Sequence, residues 1–134
     1  MANTYNILEE IKTKLSLVPN IKTLKIGMEK GVGSKDSPFV RIVPEITVPS
    51  IDNSCLEGGG DDTSVDIIYG FDTKNKDLEL LYDQFYTMEK DIREALVNTN
   101  YTSGRCVFIS TLTDQDQLVN IKSAIIRFEM LGIK

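Results

Sequence analysis

The residues best placed to do chemistry are the acids in the middle of the chain. Asp61, Asp62 and Asp66, with Glu57 just before them, bring carboxylate oxygens close together in sequence, and oxygen donors are what a hard cation such as Mg²⁺ or Ca²⁺ requires. Their spacing matches no EF-hand loop, so the plain reading is a solvated acidic loop. The same carboxylates could exchange protons as an acid and base pair, but no basic or polar partner set accompanies them. Gly31-Val32-Gly33-Ser34-Lys35 has the glycines and lysine of a phosphate loop. It lacks the Gly-Lys-Ser/Thr order that such a loop needs, and reads as a flexible turn; no dinucleotide fingerprint occurs elsewhere. Cys106 lies among strand-forming residues in a chain with no histidine. With no base to activate it, it reads as a small buried apolar group, while Cys55 falls in a loop and is expected to be exposed. Tyr69, Tyr82, Tyr86 and Tyr101 are spread over several elements, without the interleaved Lys and Arg of a base-stacking platform. No catalytic, cofactor or metal set emerges, and the chain reads as a protein that is not an enzyme.

The elements that carry these residues are legible from periodicity. From Asn75 to Val97 the apolar positions Leu78, Leu81, Tyr82, Phe85, Met88, Ile92, Ala95 and Leu96 recur at steps of three and four, which predicts a long helix with one buried stripe. Asp72, Thr73 and Asn75 offer N-caps for it. Ile7, Leu8, Ile11, Leu15 and Val18 repeat the pattern over Thr4 to Leu17, and Pro19 and Asn20 stop that first helix. Strands follow from alternation at Ile21 to Ile26, Phe39 to Ile46, Val65 to Phe71 and Arg105 to Leu112. The closing run, Ser123 to Ile133, puts Ala124, Ile126, Phe128 and Met130 on one face.

Gly27 to Pro38 is expected to be a hairpin loop, and Pro44 predicts that the second strand is at an edge, or ends, near that residue. Between Glu45 and Ser64 come Pro49, Asn53, Gly58, Gly59, Gly60, Asp61 and Asp62, which predicts a projecting loop or extended arm. Ile51, Leu56, Glu57, Asp61 and Asp62 are its candidate contact residues. The expected fold is a single α+β domain over residues 1 to 134, a mostly antiparallel sheet of about five strands with two helices on one face, in the order α-β-β-β-α-β-β.

With 41% hydrophobic and 26% charged residues in 134, the chain belongs to the ordinary globular class, far from the disordered one. A net charge of -5 and the absence of any Lys or Arg block argue against tight binding to the outside of a nucleic-acid duplex. Two cysteines make neither a disulfide framework nor a zinc knuckle, which points to a reducing compartment. The start of the chain lacks the basic and apolar regions of a signal peptide, and no apolar run is long enough to span a bilayer, so a cytosolic protein with no membrane partner is expected.

Three segments carry a resemblance: Ile7-Leu8-Glu9-Glu10-Ile11 near the start, Phe39-Val40-Arg41-Ile42-Val43-Pro44 before the long acidic loop, and Ser123-Ala124-Ile125-Ile126-Arg127-Phe128-Glu129 near the end. In layout, length and these stretches the chain resembles the tail terminator, or tail completion, proteins of long-tailed bacteriophages. The resemblance implies a small α+β subunit that assembles as a ring, commonly a hexamer, on the end of the tail tube. Such a ring ends tube polymerisation and offers the surface for head-tail joining. Its implied partners are other copies of itself, the tail tube protein and the head-tail connector protein. DNA would only pass through the ring, where an acidic balance weakens its adhesion. The implied location is the virion tail or neck, assembled in the cytoplasm of a bacterial host. The family brings no catalytic residues. Two other classes stand beside it: a small-molecule-binding or regulatory α+β module with a ligand under the Gly-rich loop, or another phage neck or minor tail component, and, behind both, a metal-dependent hydrolase using Asp61, Asp62 and Asp66.

Overall fold

The computed structural model describes residues 4–28, 34–49, 60–74, 77–113 and 121–133. Seven elements follow one another: α1 (Thr4–Leu15), β1 (Thr23–Ile26), β2 (Phe39–Pro49), β3 (Asp61–Asp72), α2 (Leu78–Val97), β4 (Arg105–Thr113) and β5 (Ile121–Ile133), with one 3₁₀ turn at Ser34–Asp36. The five strands make one sheet in the order β1-β2-β3-β5-β4. Three of its four pairings are antiparallel, so the expected α+β class, element order and mostly antiparallel sheet are what the chain forms.

Strand alternation divides the sheet into two unlike faces. Val40 and Ile42, Val65 to Phe71 at every second residue, and Ala124 to Met130 likewise are all buried on one side. Both helices lie there. α1 turns Ile7, Leu8, Ile11 and Leu15 inward, and α2 turns Leu81, Phe85, Met88, Ile92 and Leu96 inward, the i, i+3, i+4 stripe that a helix needs to lie on a sheet. Each of these large side chains contributes about 1.5–3 kcal/mol on leaving water. Tyr69 packs its ring 4.8 Å from that of Phe85 and donates its hydroxyl to the Phe85 carbonyl, 3.3 Å away, so even the polar tip is satisfied.

The helices are tied at one end as well as packed. Lys14 donates to the Asn100 carbonyl at 2.7 Å, and the Glu10 carboxylate accepts from the backbone N-H of Thr102 at 2.8 Å. Thus α1 clasps the connection between α2 and β4. Asp77, in extended conformation, caps α2 by accepting from Glu79 N at 3.0 Å. This corrects the expected caps. Asp72 instead closes a tight turn onto Lys74 N, Asn75 lies outside the described residues, and the helix starts at Leu78. Leu78 also leaves the predicted stripe: it is exposed, one turn before the first buried position, Leu81.

The largest correction concerns residues 27 to 38. β1 and β2 are parallel, Thr23 opposite Phe39 and Ile26 opposite Ile42, so the segment is a crossover and no hairpin. Its described part is fastened to the start of β1 and the end of β3: Thr23 Oγ1 donates to the Asp36 carbonyl at 2.9 Å, and Asp72 N donates to Ser37 Oγ at 3.1 Å. Arg41, fully buried, donates from one terminal nitrogen to the Thr23 and Val40 carbonyls. Phe39 lies across Gly70 on the neighbouring strand, where a Cβ would sit 2.6 Å from the ring; a glycine is needed for that approach.

Candidate functional site

The acidic segment was the expected focus, and the structure redistributes it. β2 continues to Pro49 and β3 begins at Asp61, so the expected loop over 45–64 is strand at both its ends. Pairing runs on from Ile46 opposite Ser64 to Pro49 opposite Asp61, with Thr47 Oγ1 and Thr63 Oγ1 2.9 Å apart. On the other side β3 stays paired with β5 as far as Ile133, and Gly60 is held so close to the Gly132–Ile133 backbone that a Cβ would lie 2.8 Å from the Ile133 carbonyl oxygen. The root of the arm is therefore part of the sheet. Among the described residues β1 pairs with Phe39 to Ile42 of β2, and from Val43 onward the outer side of β2 has no strand beside it. Pro44 sits two residues past that transition, where a missing N-H costs nothing, as its position predicted. Glu45 forms a bulge there, and Ile46 and Val48 are exposed.

The three aspartates do not converge. Asp66 takes a two-pronged bond from Arg127, Nε to Oδ1 at 2.9 Å and the terminal nitrogen to Oδ2 at 3.3 Å. The same guanidinium reaches Glu45 on β2 at 2.6 Å. Asp62 accepts from Gly132 N at 2.9 Å, and Asp61 is exposed opposite Pro49. Asp61 and Asp66 are five residues apart on one strand, about 16 Å, too far to share an ion. Among the described residues no three Asp, Glu, Cys or His side chains could hold a metal. Ile51, Leu56 and Glu57, the remaining candidate contact residues, lie outside the described residues, as do Cys55 and Gly31 to Gly33.

Asp66 and Arg127 stand on the sheet face that carries no helix. In register across it run Arg41 on β2, Ile68 on β3, Ile125 on β5 and Leu112 on β4, followed in the next row by Val43, Asp66, Arg127 and Ser110; at the β2 end Arg41 and Phe39 are buried, so the open part of this face is its β3-β5-β4 side. Ile68 and Ile125 are half-buried; Leu112, on the outer strand, is 68% exposed. The aliphatic residues Ile68, Ile125 and Leu112 beside a multi-strand charge pair offer partly exposed apolar area together with a fixed orientation. Sequence reading found Arg127 and Asp66 separately but had no signal for their pairing, since 61 positions separate them.

Cys106 is buried, as expected, and burial pushes its thiol up to about 11. It faces the helices and stays protonated, unreactive. Tyr82 and Tyr86 stack on α2 with ring centroids 6.3 Å apart, while Tyr69 is a core residue. No helix is long and apolar enough to cross a membrane among the described residues. No protein-family model matches the chain, and no curated protein matches it in sequence.

Proposed function

We propose that the chain is a structural subunit of a long-tailed bacteriophage, a tail terminator that closes into a ring on the end of the tail tube, ends its polymerisation and offers the head connector a surface. Virion assembly in the host cytoplasm, rather than catalysis, is then its work. The observation that carries this reading is the unlike pair of sheet faces: helices seal one, while the other keeps Ile68, Ile125 and Leu112 beside the Asp66–Arg127–Glu45 tie. A subunit with one such surface and a different one behind it is suited to head-to-tail contacts with its copies, and contacts of that kind form rings where the rotation between neighbours closes and filaments where it does not. The net charge of -5 favours the passage of DNA through the ring without adhesion.

Native mass spectrometry with negative-stain imaging tests it. The expected result is a closed annulus of several copies, six by the resemblance, which Ile68→Glu together with Ile125→Glu reduces to folded monomers. A chain that stays monomeric at every concentration, with and without tail tubes from the same virus, would falsify the proposal. So would a ring with a strongly basic bore, as far as DNA passage is concerned.

A further inference from the structure

On the opposite side of the molecule, in the helical layer, two depressions run into one another. The larger, about 650 Å³, lies between the turn after α1 at Pro19 to Lys22, the Ser37-Pro38 corner, the end of β3 and α2 at Asp83 to Asp91. The smaller, about 450 Å³, lies between the end of α1 at Lys14 to Val18 and α2 at Asp91 to Thr99. Pro19 and Asp91 line both, so the two form one trough along α2.

Its two sides differ in chemistry. Phe71, Met88, Val18, Pro19, Pro38 and Leu17 give it an apolar floor and far wall, and Leu17 is 84% exposed. The α2 wall is acidic. Asp83 and Asp91 have no hydrogen-bond or ion-pair partner among the described residues, and Glu94 meets only the Lys90 ammonium at 4.0 Å, out in solvent. The two lysines on the trough offset only part of this charge: among the described residues neither pairs with an acid of the wall, and Asp72 on the opposite rim adds a fourth carboxylate. Lys22 donates to the Lys35 carbonyl at 2.6 Å and Lys14 to that of Asn100 at 2.7 Å.

We propose that this trough docks an extended basic segment of a partner protein, one in which lysine or arginine alternates with aliphatic residues. Charge complementarity argues for the basic side chains, and the apolar floor argues against a bare cation. The spacing fits a strand: Asp83 and Asp91 are eight residues apart on a helix, about 12 Å along its axis, and side chains four residues apart on an extended chain are about 13 Å apart on one side. The first and third residues between them point the other way, toward Leu17, Pro19 and Pro38, while the middle one shares the basic side. Nucleic acid is repelled by the same wall. This docking site lies behind the face assigned to contacts between copies and does not depend on ring formation.

The test is fluorescence anisotropy with the full chain, at about 0.15 M salt, using a short labelled peptide in which lysine and leucine alternate. Saturable binding is expected, weakened about tenfold or more by Asp83→Asn with Asp91→Asn and unaffected by Asp61→Asn on the remote arm. Leu17→Glu, at an exposed position where folding is not at stake, should weaken it as well. The proposal is overturned if no saturable binding is seen, or if neither the aspartate pair nor Leu17→Glu matters. Equal loss in Asp61→Asn would overturn it too, as would equal binding of a peptide in which serine replaces leucine or full displacement by spermidine at matched charge, since each means charge attraction alone.

Discussion

Ile125 and Ile126 carry the same side chain at adjacent positions of β5, yet Ile126 is fully buried beneath the helices and Ile125 is half-buried on the face no helix covers. The contrast holds across the sheet. One face is mainly aliphatic and aromatic, with Thr63 and Lys122 buried among those side chains; the other mixes aliphatic residues with Arg41, Asp66, Arg127 and Glu129. A single strand thus serves two ends on alternate residues, holding the domain together with one set and presenting a surface with the other.

The sharpest way to break that comparison is to truncate the two isoleucines. Ile126→Ala is expected to cost about 2–5 kcal/mol and Ile125→Ala about 1 kcal/mol or less, read from urea denaturation. Equal costs would mean that the bare face is a second core. Next in size is an alkaline effect confined to the covered face. The Cys106 thiol is raised from 9.0 to about 11 by burial. Its stabilisation is complete below pH 9.0 and is lost as pH rises toward 11, because only the unfolded chain releases the proton in that window. The loss is at most about 1.4 kcal/mol per pH unit. Denaturation midpoints measured up that range should fall less steeply in Cys106→Ala, although Tyr69 and Tyr101, also raised by burial, keep part of the slope.

Asp77→Ala removes the cap of the helix that seals the covered face and should cost about 1 kcal/mol by thermal melting. The smallest effect belongs to the bare face. Asp66→Asn weakens a tie that is partly solvent-screened, so the melting midpoint should move less than in Asp77→Ala, while assembly of the proposed ring should suffer more. A fall in stability as large as that of the cap variant would show the tie to be a support of the domain.

Much of the covered face was legible in the letters. Ile7, Leu8, Ile11, Leu15 and Val18, and Leu81, Phe85, Met88, Ile92 and Leu96 on α2, are buried as their spacing predicted, because a helix or strand against one layer imposes its own period on the sequence. Direction of pairing was not legible. A segment rich in Gly, Ser and Asp says that the chain turns and leaves open whether it returns antiparallel or crosses over, so the parallel β1 and β2 were read as a hairpin. The candidate site suffered for a related reason. Asp62 and Asp66 looked like members of one acidic loop, but strand pairing assigns one to the Gly132 amide and the other to Arg127, and local composition is silent about partners more than sixty residues away.

Because β1 accompanies only the first four residues of β2, that strand is interior at one end and marginal at the other. Amide exchange along it should therefore be graded: the N-H groups of Val40 to Ile42 open only when the whole domain does, whereas those from Ile46 to Val48 trade deuterium by local fraying. The outer half can then bend, or rearrange around a neighbour, without the inner half registering the change.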